Sequence, residues 1–444
     1  MSFNSKRRND NIVVVGGGLA GLTAAVYLAR GGRRVTLFEK AQDVGGRAQT
    51  RQLEDYFFNL GPHALYQGSE AEEILADLDV SVRGGKPSTD GALVMQDNAL
   101  HQLPADPRSF VRNDLMSVGE RMALVIALLK VLRTKPASAA HLSAEDWVNR
   151  HTTSPAARDL LLMLMRVSTY CSAGAALSAE VFLRQLQLTL HHGVLYLDGG
   201  WQKLVDALHQ KVREAGVEIV RGCRAERITA GTGGPEVMLA DGSVRRATAV
   251  VLAVEPHSAQ DLLPEDEALA KVVARLRPVR AATLDLALRR LPRPDQPLVF
   301  GLREPLYLSV HSAVAKLAPA GGAVVHLAKY LNHTGEDAEA EQELEKLMDL
   351  AQPGWRAEVV HRRFLPHLTV VNHLVTPPAG LRGRPDSDTP DTPGVYLAGD
   401  WIGDEGWLAD ASFASARTAA RLALQQRAMG LHSKQVHEPA PVFS

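Results

Sequence analysis

From Ile12 to Val15 every side chain is apolar, and the run then breaks into Gly16, Gly17 and Gly18. A short, continuous apolar run bounded by glycine predicts a strand covered on both faces, as in a parallel sheet. The period then changes. Leu22, Ala25, Val26 and Ala29 recur at i, i+3, i+4 and i+7, one face of a helix, and Gly31-Gly32 ends it. Arg34 to Phe38 predicts a second strand, finishing at Glu39. Val250 to Val254 repeats the buried-strand pattern. Gly394 to Ala398 predicts another strand, which leads through Gly399-Asp400 into a helix over 408–427.

Other stretches alternate instead. Leu284, Leu286 and Leu288 against Thr283, Asp285 and Ala287 predict a half-buried strand, and Val325, Leu327, Lys329 and Leu331 share one face of another. Helical patterns cover Glu70 to Leu78, Leu115 to Lys135, a capped start at Ser143 running into Trp147, and Pro155 to Val167. A charged helix over Gly335 to Leu350 reads as a solvated outer face. The stretch 115–135 is the most apolar of these, but its uncharged run is too short to span a bilayer. It reads either as a core helix or as an amphipathic surface that docks on membrane.

A chain of 444 residues suggests two or three domains with a substantial core. A formal net charge of -1, with both signs interspersed, gives no footprint for nucleic acid. Cys171 and Cys223 fit neither a metal spacing nor a disulfide framework, which points to a reducing cytoplasm. His361, His367 and His373 are spaced so that no pair forms a metal site, and no metal is expected. Lys6-Arg7-Arg8 is followed by no signal-type apolar segment, so residues 1–9 read as a flexible tail, as do 428–444.

The chemistry sits at the glycines. Gly16, Gly18 and Gly21 make G-x-G-x-x-G between a predicted strand and a predicted helix. This is the setting in which a pyrophosphate meets the backbone N–H groups of a helix start, here near Leu19 and Ala20. Glu39 follows at the distance, about 20 residues on, where a carboxylate accepts ribose hydroxyls. An acid there disfavours a 2′-phosphate. Lys40 and then Val44-Gly45-Gly46-Arg47 add a close backbone approach and a guanidinium suited to a diphosphate.

The stretch Gly16 to Arg47 resembles the FAD-binding fingerprint of the superfamily that contains flavin amine oxidases, protoporphyrinogen oxidases and phytoene desaturases. The resemblance continues through Asn59-Leu60-Gly61-Pro62-His63-Ala64, Tyr196 to Leu204 and Gly399-Asp400. It implies an α/β fold with a Rossmann-like FAD-binding domain of the glutathione-reductase-like type, an inserted α+β substrate domain and a helical cap. The FAD-binding domain is then discontinuous, over 10–85, 194–256 and 390–427, with 86–193 and 257–389 forming the substrate and cap domain. The resemblance also implies that Gly61 and Pro62 pass the flavin ring and that His63 faces ring or substrate, although a lone histidine is more often packed or solvated. It further implies that backbone near Ala225 meets the adenine, that Asp400 binds the ribityl or diphosphate portion, and that the helix start at Trp407-Leu408 points at the flavin N1/O2 edge. Lys329 either holds a water near the flavin N5, as in flavin amine oxidases, or snorkels from a strand end. Ser415-Ala416-Arg417 departs from a frequent Ser-Gly-Arg but keeps a small residue.

The expected activity is FAD-dependent removal of a hydride from a C–H bond, with a separate acceptor such as oxygen or a quinone reoxidising the flavin. FAD is expected to be non-covalent, because no cysteine lies near Asp400. Aromatic residues are only 5% of the chain, and no paired-tyrosine cage is evident near Trp401, which favours an apolar substrate and desaturase-like chemistry. An amine or amino-acid oxidase is the alternative, and a non-catalytic FAD-binding scaffold a further one. A homodimer is left open.

Overall fold

The structure, a computed structural model, describes residues 11–104, 115–231, 233–332, 337–389 and 391–432. The first expected unit forms: strand β1 (Asn11–Val15), helix α1 (Leu19–Arg30) and strand β2 (Arg34–Glu39). They belong to a five-stranded parallel sheet in the order Glu218–Arg221, β2, β1, Ala249–Leu252, Val395–Leu397. The apolar run of β1 is buried from both sides. Ile12 and Val14 join a core with α1, the helix Gln202–Glu214 and the C-terminal helix Ala409–His432. Val13 and Val15 join a second core under a three-stranded antiparallel meander, Ala225–Gly231, Gly234–Leu239 and Val244–Arg246. The strand order reverses at β1, so a crevice opens at its carboxyl end, where open α/β sheets bind ligands.

A mixed seven-stranded sheet stands beside it, ordered Val359–Val371, Val279–Leu288, Ala323–Tyr330, Leu306–Val310, Leu298–Gly301, Leu93–Gln96, Ala99–Gln102. The strand Val279–Leu288 is not half-buried as its alternation predicts. Leu284, Leu286 and Leu288 pack under the helix Ala340–Ala351, while Thr283, Asp285 and Ala287 on the other face are buried too. Period two reports which residues share a face; it does not report whether the second face is covered. The expected charged helix accordingly starts later, at Ala340, and buries Leu344, Leu347 and Met348; residues 333–336 lie outside the described residues.

Four helices, Val118–Arg133, Ala144–His151, Pro155–Thr169 and Ala179–His191, pack into one apolar cluster beside this sheet. Each begins after a serine whose Oγ accepts a backbone N–H of the first turn: Ser117, Ser143, Ser154 and Ser178. Ser117 with Glu120 forms a full capping box. The 115–135 stretch is part core helix and part exposed apolar surface. Leu124, Ala127 and Val131 are core, while Val118, Met122, Ile126 and Leu129 are exposed. The C-terminal helix continues to His432, past the expected end at 427; the remaining tail and residues 1–10 lie outside the described residues.

Candidate cofactor and active site

A cavity of about 720 Å³ runs from the carboxyl end of β1 to the face of the seven-stranded sheet. Its first end is built from backbone. The first turn of α1 leaves its N–H groups without intrahelical acceptors, and Gly18, Leu19 and Ala20 line the wall. A Cβ on Gly18 would meet nothing within 4 Å, so its Cα is open to the cavity. Gly16, at φ +103, turns the chain where a Cβ would lie 2.4 Å from the Ala253 carbonyl oxygen. Gly21 does not line the cavity: a Cβ there would sit 1.8 Å from the Gly16 carbonyl oxygen, so this glycine lets α1 pack on the strand.

Glu39 lines the same end and is held by two amides. Its Oε2 accepts Gly17 N–H at 2.6 Å and its Oε1 accepts Ala41 N–H at 2.8 Å. A carboxylate has about four acceptor positions, so lone pairs remain for ribose hydroxyls. Lys40, Gly46, Arg47 and Ala225 also line the cavity, with Cys223 beside Ala225. Arg47 donates to Asp400 Oδ2 at 2.7 Å and to the Val370 carbonyl at 3.1 Å. Asp400 is buried and also accepts from Asn372 Nδ2 at 2.8 Å, so Gly399 and Asp400 are fixed in the cavity wall just beyond the strand Val395–Leu397. Ser415, beside the small residue Ala416 in the C-terminal helix, accepts Gly399 N–H and donates to its carbonyl, both at 2.9 Å.

The other end is mostly apolar. Leu60, Pro62, Leu65, Leu368, Val370 and Leu408 form much of it. His63 is there as expected. Its ring lies edge-on to Trp201 with centroids 5.0 Å apart, and Nδ1 is 3.1 Å from the Gly61 carbonyl. A carbonyl accepts only, so the bond to Gly61 requires the tautomer with the hydrogen on Nδ1. Burial pushes the imidazole down to about 4, so it is neutral at pH 7. Gly61 lies behind this wall against Thr283 and Leu368. Trp407 is buried outside the cavity, its Nε1 donating to the Thr169 carbonyl at 3.1 Å, whereas Leu408 reaches the lining through a left-handed backbone at φ 56.

Lys329 is not brought to the site. It does not line the cavity, and its Nζ pairs with Asp337 at 2.6 Å and Glu343 at 2.7 Å. These acids arrive from outside the strand that the alternation described. In the opposite direction, sequence reasoning passed over Tyr66, Tyr170 and Trp201, which all line the apolar end, and Asp410. Asp410, in the first turn of the C-terminal helix, accepts Ser69 Oγ at 2.8 Å, and burial pushes its carboxyl up to about 7. The aromatic residues missing from the Trp401 segment thus come from three separated segments. Among the described residues no cluster of His, Cys, Asp or Glu is arranged to hold a metal.

This geometry defines a nucleotide crevice that continues into an apolar compartment, the layout of an FAD-dependent oxidoreductase. The model of the family of flavin-containing amine oxidoreductases matches residues 19–424, and the chain belongs to that family. FAD is accordingly its cofactor. A 1-hydroxycarotenoid 3,4-desaturase of Flavobacterium sp. (strain P99-3) is 22% identical over 236 residues, 46% of this chain and 48% of that protein. L-amino acid oxidase Cdc18 of Crotalus durissus cumanensis is 47% identical over 55 residues, 12% of this chain and 11% of that one. The chain thus spans at most about half the length of these curated relatives. Among solved structures, an oxidoreductase from Methanosarcina mazei superposes with a TM-score of 0.75 at 19% identity, covering 93% of this chain and 100% of that one. At that identity the likeness is one of fold: a mixed α/β architecture shared with flavin-dependent enzymes.

The residues present fit FAD. The crevice offers free helix-start N–H groups, a carboxylate with spare acceptor positions, an arginine, and a second wall pinned by Asp400, in one continuous space.

Proposed function

We propose that the protein is a desaturase-like dehydrogenase that removes a hydride from a C–H bond of an apolar small molecule. The observation that carries this reading is the wall of the compartment beyond the nucleotide crevice, where aliphatic side chains dominate and burial drives the titratable groups His63, Asp410, Tyr66 and Tyr170 toward their neutral forms. Such a wall orders an uncharged chain and offers little to a cation. The similarity to a carotenoid desaturase over part of the chain supports it.

In this reading the parallel sheet and its flanking segments, 10–85, 194–256 and 390–427, are a Rossmann-like FAD-binding domain, and the remainder is the inserted substrate domain with its helical cap. Glu39 takes the adenosine ribose, Ala225 backbone lies at the adenine, and the start of α1 with Arg47 takes the diphosphate. Asp400 takes the ribityl portion, and Pro62, His63 and Leu408 flank the ring, with Gly61 behind them. FAD held by these residues would supply the hydride acceptor. The chain's own work is to order the substrate carbon against it and to exclude water, which aligned apolar walls do without a further catalytic group. FAD is non-covalent: Cys223 lies at the Ala225 end and Cys171 is buried, its thiol pushed up to about 11 by burial.

The exposed face of the helix Val118–Arg133 suits the same substrate class. Val118, Met122, Ile126 and Leu129 form an apolar stripe, with Lys130 and Arg133 toward its end. We read it as a peripheral membrane contact through which an oily substrate is collected. No described helix is long and apolar enough to cross a membrane.

One observation favours an amine or amino-acid substrate: Tyr66, Tyr170 and Trp201 give the compartment aromatic faces that can receive a cation. Anaerobic mixing decides between the readings. The FAD-loaded protein should be bleached by isoprenoid or polyene substrates in detergent. Bleaching by amines alone, with peroxide formed on admission of air, refutes the desaturase reading.

A further inference from the structure

Among the described residues, Tyr170 is the single residue of the stretch 86–193 that lines the cavity. The other lining residues come from the nucleotide-binding segments, the short helix Pro256–Leu262, the seven-stranded sheet and Asn372 just after its edge strand. The ring therefore stands between the cavity and the apolar cluster of the four cap helices, against which it also packs.

Its placement is unusually constrained. Tyr170 ends the helix Pro155–Thr169 in a left-handed conformation, φ 58 and ψ 18, at the position where helices ordinarily use glycine. Non-glycine residues held in this region cluster at functional sites. The turn is fastened from several sides. Tyr170 N–H reaches the Arg166 carbonyl at 2.8 Å. Tyr66 Oη donates to the Ser168 carbonyl at 2.8 Å, and Trp407 Nε1 takes the Thr169 carbonyl. Ser172 Oγ donates to the Leu331 carbonyl at 2.7 Å. The far end of the side chain is fixed as well: Tyr170 Oη donates to the Pro62 carbonyl at 3.2 Å, and the ring meets Tyr330 edge-on with centroids 6.0 Å apart. Both ends of the ring are thus tied, one to the cap and one to the Gly61–His63 wall.

We propose that Tyr170 is a specificity-determining residue: a fixed partition that closes the substrate end of the cavity against the cap core and so sets the longest substrate the compartment accepts. This rests on the apolar end being the substrate compartment, and not on whether the substrate is uncharged or an amine.

The test uses the FAD-loaded protein with Tyr170→Gly, which keeps a residue at ease in the left-handed turn, and Tyr170→Phe, which keeps the ring. Straight-chain primary alcohols from butanol to decanol, and the matching alkylammonium ions, are titrated while flavin difference spectra report their affinity. In the wild type, affinity should rise with length and then level off. In Tyr170→Gly the limit should move to longer chains, each newly accommodated methylene tightening binding about fourfold, with butanol unchanged. Tyr170→Phe should keep the wild-type limit. An identical length profile in wild type and Tyr170→Gly, including no binding by either, overturns the proposal. Better binding of ammonium ions than of alcohols, with the limit still moved, refutes the apolar reading and leaves the partition standing. If Tyr170→Gly fails to retain FAD, Tyr170→Asn, which also tolerates the left-handed region, carries the same expectation.

Discussion

Replacing Asp285 by asparagine removes the negative charge at the centre of a polar row that crosses four strands of the seven-stranded sheet. Arg363, Asp285, His326 and Ser309 stand opposite one another by register. Asp285 is fully buried. Its Oδ1 lies 2.6 Å from His326 Nδ1, and its Oδ2 accepts Arg363 Nε at 3.0 Å and the guanidinium's terminal nitrogen at 2.6 Å. Arg363 goes on to the Asn59 carbonyl, at the root of the Gly61–His63 wall. Removing one member of a buried pair costs about 3–5 kcal/mol, because the other is left uncompensated. Asparagine keeps the volume, and Arg363 keeps Asn59 and some solvent contact, so Asp285→Asn should cost about 3 kcal/mol. Arg363→Met, which strands the carboxylate, should cost about 3–5 kcal/mol. The double variant loses both charges together and should fall short of the sum by more than about 1 kcal/mol.

Urea midpoints supply the measurement, with slopes checked for constancy because a chain of this size need not unfold in one step. The pH dependence gives an independent sign. Burial pushes the Asp285 carboxyl up, but His326 and Arg363 together outweigh it, and the group ends below its ordinary value. Its stabilisation is therefore complete above about pH 4 and is lost as pH falls through the lower native value, so the gap between wild type and Asp285→Asn should close in acid. Additive single variants, or a gap that widens in acid, would refute the assignment of a coupled, ionised Asp285.

Further outcomes follow from the same geometry. Asp400→Ala frees Arg47 and Asn372 from their shared acceptor and should weaken FAD binding about tenfold to a hundredfold, read as FAD fluorescence released on dilution; retention equal to wild type would sink the role given to Asp400. His63, held near 4 by burial, is neutral in the native protein and binds protons more readily unfolded. Wild type should therefore lose stability relative to His63→Gln as pH falls from about 6.5 to 4, and urea midpoints that run parallel across that window count against a buried neutral imidazole. Ile126→Asp combined with Leu129→Asp should abolish flotation with anionic vesicles while the visible flavin spectrum stays unchanged; undiminished flotation removes the membrane contact.

What was legible in the sequence follows from where each piece of chemistry is stored. The glycines, Glu39 and Arg47 act through backbone conformation and a short local path, so spacing along the chain already carries their geometry; Gly16, Gly18, Glu39 and Arg47 meet in one cavity, with Gly21 packed behind it. Asp400 was legible for the same reason, as the end of a strand leading into a helix. The substrate end obeys a different rule. Tyr66, Tyr170, Trp201 and Thr283 come from separate segments, and no local period brings them together. Asp285 and Lys329 show the failure most clearly. Alternation placed each on a face, but their roles are decided by partners on other elements. Asp285 is ionised in the core because register sets Arg363 and His326 on either side of it. Lys329 is drawn off to Asp337 and Glu343 because the strand ends there. A polar residue in a strand pattern therefore says little about function until the neighbouring strands are known. A glycine turn between a buried strand and a helix says a good deal, since its ligand is met by atoms that every residue carries.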